Sequence, residues 1–174
     1  MKAMMEKARA VRLMIFDVDG VMTDGGLYYN DAGEEMKAFN SLDGHGLRML
    51  QQTGVKLAII TGRKSRLLEH RANNLGIDFV YQGAHDKLAT FGELLEAAGV
   101  SAAECGYMGD DVIDLPVMRR AAFAVAVPDS PEIVLQNAHY VTGRAGGHGA
   151  VREVCELIMQ AQGTYDGLIA HYLR

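Results

Sequence analysis

The sequence predicts an α/β protein in which helices cover both faces of a mostly parallel, doubly wound sheet. Three observations lead to this fold class. Short, continuous apolar runs recur along the chain, as is typical of strands that are buried on both faces. Segments with helical periodicity separate these runs. Glycines stand where the helical segments should end, at Gly54, Gly76 and Gly99, and helices often end in a left-handed glycine.

Strands and helices alternate in a regular order. The predicted strands are the apolar runs 12–16, 55–60, 79–82, 106–108 and 123–127. The predicted helices cover residues 44–52, 65–75, 86–98, 114–120 and 131–137, and a last helix follows Gly149 and runs to about residue 161. This alternation is typical of a Rossmann-like fold, in which the ligand binds beyond the carboxyl ends of the strands.

A short β-hairpin interrupts the alternation after the first strand. Residues 27–29 and 35–39 have the pattern of two strands. The residues between them, Asn30-Asp31-Ala32-Gly33, are turn formers. The hairpin is too short to be a domain of its own.

Length and composition are those of one globular domain, which we expect to span residues 1–174 with a core at 10–162 and a C-terminal tail at 163–174. Hydrophobic residues make up 49% of the 174 residues, and the formal net charge is −5. The acidic balance argues against nucleic-acid binding. No apolar run is long enough to cross a membrane, and the charged N-terminus lacks the apolar centre of an export signal. We therefore expect a cytoplasmic protein that contacts neither membrane nor nucleic acid.

Carboxylates gather at the predicted carboxyl edge of the sheet. Asp17 and Asp19 follow the first strand, while Asp110, Asp111 and Asp114 follow the fourth. Side chains two residues apart in an extended segment point to the same side, and carboxylates this close repel one another unless a cation lies between them. Each motif alone is equally typical of a turn or a helix cap. Together they predict a metal site, with the oxygen ligands that Mg²⁺ prefers.

Thr61 and Lys87 would add the groups that an acidic cluster lacks. Thr61 follows the second strand, and Lys87 opens the helix after the third. Alone, the first is typical of a helix cap and the second of a solvated side chain. Beside the carboxylates, they would supply a hydroxyl donor and a fixed cation for a phosphoryl group.

These segments resemble, in order, the four motifs of the haloacid-dehalogenase superfamily of phosphatases. The motifs are DVDGVMTD at 17–24, ITGR at 60–63, Lys87 and GDDVID at 109–114. The resemblance extends to the family of phosphatases that act on 3-deoxy-D-manno-octulosonate 8-phosphate, and it covers roughly residues 12–163. The segments that carry it are GEEMKAFN at 33–40, LAIITGRK at 57–64, YQG at 81–83, GDDVIDLPVM at 109–118 and AGGHGAVREV at 145–154.

The resemblance implies a covalent mechanism. Asp17 would attack phosphorus and form an aspartyl-phosphate, and Asp19 would protonate the leaving sugar oxygen and then activate water. Thr61 would hydrogen-bond the phosphoryl group, and Lys87 would neutralise it and orient Asp17. Asp19 can serve as the acid only if its carboxyl group points away from the metal.

The resemblance also implies the metal ligands. Mg²⁺ would be held by the Asp17 carboxylate, the Asp19 backbone carbonyl and Asp110. Asp111 and Asp114 would lie behind these ligands and fix Lys87 and metal-bound water.

Substrate contacts are implied by the same resemblance, because an anionic sugar acid needs cations for its carboxylate. Leu42 stands where some relatives carry Arg, so one such contact is not expected here. His45 is either a contact at the rim of the site or a polar loop residue, and the second interpretation is favoured. The implied contacts are Asp19, Asn40, Asp43, Gly44, Arg48, Gly62, Arg63, Arg71 and Lys87.

The predicted fold has no cap domain, although other phosphatases of this superfamily insert a lid that expels water. The resemblance then implies a homotetramer in which a neighbouring subunit, including its C-terminal segment, covers the site. The glycine-rich stretch 143–149 and the apolar tail fit such an arrangement.

The function expected from the resemblance is Mg²⁺-dependent hydrolysis of 3-deoxy-D-manno-octulosonate 8-phosphate in lipopolysaccharide precursor biosynthesis. A phosphatase for another sugar acid, such as a sialic-type acid 9-phosphate, is the alternative within the same class. A signalling receiver domain is disfavoured, because there the phosphorylated Asp follows a later strand than the acidic pair. A catalytically silent protein would be expected to lack Asp17, Asp19 or Lys87, and all three are present.

Overall fold

The computed structural model describes residues 2–174 and confirms the predicted fold. The helices are α1 (Lys2–Arg9), α2 (Ser41–Gln52), α3 (Arg66–Leu75), α4 (Lys87–Ala98), α5 (Leu115–Met118), α6 (Glu132–Leu135), α7 (Ala150–Gln162) and α8 (Tyr165–Ala170). The strands are β1 (Leu13–Phe16), β2 (Tyr28–Tyr29), β3 (Glu35–Met36), β4 (Lys56–Thr61), β5 (Phe79–Gln82), β6 (Cys105–Gly109), β7 (Phe123–Ala126) and β8 (Tyr140–Val141).

Six of these strands form one parallel sheet in the order β5-β4-β1-β6-β7-β8. The chain builds outward from β1 in one direction through β4 and β5, and in the other through β6, β7 and β8. The carboxyl end of β1 therefore lies at the point where the strand order reverses, which is where open α/β sheets bind their ligands.

Alternation along β1 feeds two separate hydrophobic cores, one on each face of the sheet. Leu13 and Ile15 pack on the face covered by α4, α5 and α6. Met14 and Phe16 pack on the other face, which α1, α2, α3, α7 and α8 cover. The central strands β1, β6 and β7 are buried on both faces, which explains why their sequences are continuous apolar runs.

The predicted hairpin is present as a two-stranded antiparallel sheet of β2 and β3, separate from the main sheet. Its turn is closed by the Asn30 side chain, which accepts hydrogen bonds from the backbone N–H groups of Ala32 and Glu34. Several of its apolar side chains are exposed within this chain: Leu27, Tyr28, Tyr29 and Met36.

The structure differs from the sequence prediction at several elements. Helices α1 and α8 and strand β8 are additional to the predicted elements, and Ala8 of α1 is fully buried, although it precedes the predicted core boundary at residue 10. The helix predicted at 114–120 is instead a 3₁₀ turn, Val112–Asp114, followed by the short α5. Helix α2 begins earlier than predicted because the Asn40 side chain caps it.

The C-terminal tail is docked on the core of its own chain. Tyr165, Leu168 and Ile169 pack against the core formed with α7. Beyond α8, the ring of Tyr172 lies edge-on to the ring of His45, with 5.7 Å between centroids. Within residues 2–174, no helix combines the length and the apolar character that crossing a membrane requires.

Candidate active site

Asp17 stands directly at the carboxyl end of β1 and is buried. Its backbone N–H donates to the carbonyl of Met108 on β6 over 2.9 Å, so the sheet ladder fixes its position. One carboxylate oxygen, Oδ1, accepts a hydrogen bond from the N–H of Val18. The other oxygen, Oδ2, lies 2.9 Å from Nζ of Lys87. A carboxylate is thus held rigidly at the point where the sheet order reverses.

Lys87 links Asp17 to Asp114 beneath the site. Its Nζ lies 2.7 Å from Oδ1 of Asp114, which also accepts a hydrogen bond from the hydroxyl of Tyr107 over 2.6 Å. Burial opposes the charged form of Lys87, but the attraction of Asp17 and Asp114 outweighs it and raises the pKa of this ammonium group. Lys87 is therefore a buried, permanently charged cation beside Asp17.

Three carboxylates approach closely enough to share a cation. Asp17, Asp110 and Asp114 each offer an oxygen atom within 4.8 Å of the other two. Asp114, however, is fully occupied: its Oδ1 faces Lys87 and Tyr107, and its Oδ2 accepts the N–H groups of Asp110 and Asp111. Asp17 and Asp110 could hold a metal ion with Asp114 hydrogen-bonded behind them, and these roles stay a prediction.

The electrostatics of these carboxylates fit a divalent cation. Burial and the nearby Asp114 raise the pKa of Asp17 to about 6. Burial and the nearby Asp17 raise the pKa of Asp110 to about 7. The protein's own cations therefore do not neutralise this group of hard oxygen ligands, and a bound Mg²⁺ would.

Two glycines allow the loop after β1 to approach Asp110. A Cβ atom at Gly20, where φ is +85°, would overlap the Asp110 carboxylate, and a Cβ at Gly146 would overlap the carbonyl oxygen of Gly20. A cavity of about 260 Å³ remains beside them, lined in part by Asp110, Asp129 and His148. The glycine-rich stretch 143–149 therefore packs against the active-site loop of its own chain.

Asp19 turns its carboxylate away from the metal-binding group. Its Oδ1 lies 2.5 Å from Nζ of Lys37, and its Oδ2 lies 4.0 Å from Nε of Arg63. An acid that contributes only its backbone carbonyl to the metal is expected to have this orientation. The role of Asp19 in catalysis stays a prediction.

Thr61 and Asp111 differ in how they meet expectation. Thr61 is buried at the carboxyl end of β4, the strand next to β1, and its hydroxyl accepts a hydrogen bond from the N–H of Arg63. Asp111 is exposed, and its carboxylate caps the following 3₁₀ turn through the N–H of Val112. The structure brings Asp114 to Lys87, but not Asp111, because Asp111 is turned outward to start that turn.

The structure gives Asn40 and Asp43 contacts within the chain rather than a free face for substrate. Asn40 caps α2 and donates from its amide to the carbonyl of Gly147. Asp43 is 3% exposed, and its Oδ1 accepts the N–H of Arg152 at the start of α7. Burial raises the pKa of this carboxyl group. The Asp43 carboxylate thus bonds the first turn of α7, and its expected substrate contact stays a prediction.

Three further predicted contacts, Gly44, Arg48 and Arg71, line a separate cavity of about 320 Å³ together with His45. Arg48 donates to the carbonyl of Asn74, and a Cβ at Gly44 would overlap the Arg71 guanidinium. None of the carboxylates at the end of β1 or β6 lines this cavity. Among residues 2–174 the predicted substrate residues thus form two groups: Arg63, which follows Gly62, lies near the Asp19 carboxylate, whereas Arg48 and Arg71 line the separate cavity.

Lys37, Glu35 and Tyr107 are site residues that sequence reasoning did not single out. Glu35 joins the network by accepting from Lys37 over 3.1 Å and from Arg63 over 2.9 Å. A signal for the first two exists: Glu35 lies on β3 and Lys37 directly follows this strand, so their side chains are two residues apart and point to the same side of an extended segment. No pattern marks Tyr107, which reads as one more apolar strand residue.

Comparison with known proteins agrees with this geometry. Residues 77–154 match the family model described as haloacid dehalogenase-like hydrolase. The fold, with an aspartate at the end of β1 and a lysine and further aspartates around it, defines a hydrolase of that class.

Similar proteins narrow the class. The chain is 51% identical over 162 residues, 93% of its length, to the 3-deoxy-D-manno-octulosonate 8-phosphate phosphatase KdsC of Yersinia pestis, 87% of which is covered. The phosphatase of the same name from Moraxella catarrhalis, solved with a magnesium ion, a phosphate ion and a KDO molecule, superposes with a TM-score of 0.97 at 44% identity over 99% of both chains. A probable YrbI family phosphatase from Pseudomonas syringae superposes with a TM-score of 0.98 at 44% identity, covering 100% of this chain and 99% of that one. The chain belongs to this family of 3-deoxy-D-manno-octulosonate 8-phosphate phosphatases.

Proposed function

We propose that this protein is a Mg²⁺-dependent phosphatase that hydrolyses 3-deoxy-D-manno-octulosonate 8-phosphate to the free sugar acid and phosphate. The observation that carries the proposal is the surrounding of Asp17. This carboxylate has a buried lysine on one side and Asp110 on the other, while the carboxylate of Asp19 is turned to the open side. Relatives that share half of the sequence carry this activity in their names.

In the proposed reaction, an oxygen of Asp17 attacks phosphorus, and the bond between phosphorus and the sugar oxygen breaks. Asp19 donates a proton to that sugar oxygen, because an alkoxide is a poor leaving group. Asp19 then takes a proton from a water molecule whose oxygen attacks the phosphoryl group, which frees Asp17 and releases phosphate. Lys87 keeps Asp17 ionised and oriented throughout, and Thr61 hydrogen-bonds the phosphoryl oxygens.

Asp17, Asp110 and the backbone carbonyl of Asp19 would hold Mg²⁺, and Asp114 would support them through its hydrogen bonds. When bound, the ion supplies positive charge that offsets the charge of the phosphoryl oxygens. The ion would also offset the repulsion between these carboxylates, which adds to the effect of burial in raising the pKa of Asp17 and of Asp110.

The cavity lined by Arg48 and Arg71, here called the arginine cavity, supports an active site that is shared between subunits. Arg48 and Arg71 form a cationic surface suited to a sugar-acid carboxylate, but it lies apart from the chain's own Asp17. We infer a homotetramer in which the arginine cavity and tail of one subunit complete the site of a neighbour. The exposed apolar side chains of the β2–β3 hairpin are the surface available for such an assembly.

We further propose that the enzyme works in the cytoplasm, in lipopolysaccharide precursor biosynthesis. Cys105 and Cys155 are free thiols buried in the two cores, which is typical of proteins in a reducing compartment.

The test is phosphate release from a panel of phosphosugars, with Mg²⁺ and with a chelator, using Asp17→Asn as control. We expect Mg²⁺-dependent release from 3-deoxy-D-manno-octulosonate 8-phosphate that exceeds release from a sialic-type acid 9-phosphate by at least about 100-fold in kcat/KM. Activity that survives Asp17→Asn, or an equal preference for both sugars, would contradict the proposal.

A further inference from the structure

Lys37 has a buried ammonium group although it belongs to the largely exposed β2–β3 hairpin. The β2–β3 hairpin exposes most of its apolar side chains, yet the side chain of Lys37 is only 3% exposed. Burying an ammonium group is costly unless partners compensate it. The partners of Lys37 are Asp19, with 2.5 Å between Nζ and Oδ1, and Glu35, with 3.1 Å between Nζ and Oε1.

Asp19 is held from two sides by this arrangement. Lys37 pairs with Oδ1, whereas Arg63, from the loop after β4, faces Oδ2 with its Nε at 4.0 Å. Glu35 binds both cations, and Arg63 also donates to the hydroxyl of Tyr29. A carboxylate restrained at both oxygens cannot rotate freely about its side-chain bonds, so the hairpin fixes its direction.

The direction matters because Asp19 lies two residues after Asp17. Without a restraint, the Asp19 carboxylate could join the acidic group formed by Asp17, Asp110 and Asp114, which attracts any cation and would draw Asp19 in as a further ligand. A carboxylate bound to the metal cannot deliver a proton to a leaving group on the other side.

We propose that Lys37 is a positioning residue that holds the Asp19 carboxylate on the leaving-group side of the site. The proposal rests on the proposed function, in which Asp19 is the acid. A purely structural Lys37, which only anchors the hairpin, predicts a different outcome, because its loss would slow every phosphate ester to a similar degree.

The leaving group of the substrate separates the two cases. The sugar oxygen of 3-deoxy-D-manno-octulosonate 8-phosphate needs a proton to depart, whereas p-nitrophenolate departs as a stable anion from p-nitrophenyl phosphate. For Lys37→Met we expect kcat/KM for the sugar phosphate to fall about 10- to 100-fold, within the range that general acid catalysis contributes. For p-nitrophenyl phosphate it should fall no more than about threefold, because phosphoryl transfer then needs no acid.

Further variants control the experiment. Lys37→Arg, which keeps the charge, should restore part of the loss on the sugar phosphate. Lys56 lies at the amino end of β4, and its Nζ donates to the carbonyl of Ala98. Lys56→Met should therefore leave both rates unchanged. If Lys37→Met does not fold, as judged by its thermal unfolding, Glu35→Gln is used instead, with the exposed Glu34→Gln as its match. Glu35→Gln should shift the ratio of the two substrates in the same direction.

Equal losses on both substrates, or no loss on the sugar phosphate, would overturn the positioning role of Lys37. That result is distinct from a failure of the proposed function, which would show as a wild-type protein without Mg²⁺-dependent activity on either substrate.

Discussion

At the scale of single residues, the site contains more negative charge than its own lysine neutralises. Asp17, Asp110 and Asp114 meet within 4.8 Å, and Lys87 is the cation paired with two of them. Burial, together with this excess of negative charge, raises the pKa of Asp17 to about 6 and that of Asp110 to about 7. A folded protein with such groups binds protons more tightly than its unfolded chain does.

This linkage predicts how pH and Mg²⁺ act on stability. The folded pKa of each carboxyl lies above its ordinary value, so its contribution to stability is present below about pH 4 and is lost as pH rises through about 6 to 7. Mg²⁺ binds the ionised carboxylates, so its stabilising effect should be largest where they are ionised. We expect Mg²⁺ to raise the thermal unfolding midpoint clearly more at about pH 8 than at about pH 5, as measured by calorimetry against a chelator.

Asp110→Asn is the matched variant for this experiment. It removes one metal ligand and one of the repelling charges, so the Mg²⁺-induced shift should shrink at both pH values. A wild-type shift that is the same at about pH 5 and about pH 8 would contradict the assigned metal ligands.

Part of the site was predictable because it depends on strand ends alone. Asp17 and Asp110 follow apolar runs, and parallel strands bring their carboxyl ends to one edge. Lys37 and Asp43 were not predictable in the same way. The burial of Lys37 arises only when the hairpin folds over the loop after β1, and Asp43 accepts a hydrogen bond in the first turn of α7 from the N–H of Arg152, 109 positions along the chain.

At the scale of elements, local chemistry explains what was foreseen and what was missed. The hairpin was predictable because Asn30 and its neighbours form a turn by short-range hydrogen bonds. Helix α1 is short and polar, and its stability comes from distant partners. Lys7 donates to the carbonyl of Ala122, Arg9 donates to that of Ala161, and Ala8 is buried. Such tertiary support leaves no local sequence pattern.

The C-terminal tail should separate into a part that stabilises the fold and a part that serves the site. Removing residues 171–174 takes away Tyr172, whose ring contacts His45 at the arginine cavity. We expect KM for the sugar phosphate to rise severalfold while the unfolding midpoint stays unchanged. Removing residues 163–174 also uncovers the core beneath Leu168 and Ile169, which should lower the free energy of unfolding by about 2 kcal/mol.

Steady-state kinetics and thermal unfolding of the two truncated proteins test this division. Wild-type KM in a well-folded protein that lacks residues 163–174 would show that the tail has no part in substrate binding.

At the scale of the whole molecule, the proposed active site is completed by a second chain. The cationic cavity is not lined by the carboxylates at the ends of β1 and β6, and the apolar side chains of the hairpin remain exposed in the single chain. Sedimentation equilibrium should therefore give a mass about four times the 18.9 kDa of one chain.

Met36→Glu tests the same surface by mutation. Met36 is 62% exposed on the hairpin, so a charge there should leave the chain folded but dissociate the assembly, and activity on the sugar phosphate should fall at least about tenfold. Ile133→Glu places the same charge at an exposed apolar residue of α6 and should change neither property. A fully active monomer would refute the shared site.

Asp17 should carry the phosphoryl group during turnover. Quenching the reaction with acid and analysing the peptides by mass spectrometry would detect this phosphoryl group. The Asp19→Asn variant should accumulate the aspartyl-phosphate when it is mixed with p-nitrophenyl phosphate and Mg²⁺. The p-nitrophenolate leaving group needs no acid, whereas hydrolysis of the aspartyl-phosphate by water needs a base. We predict one phosphoryl group on the peptide that contains Asp17, and none after Asp17→Asn. Continued turnover with no phosphorylated Asp17, or with the phosphoryl group on another residue, would contradict the account.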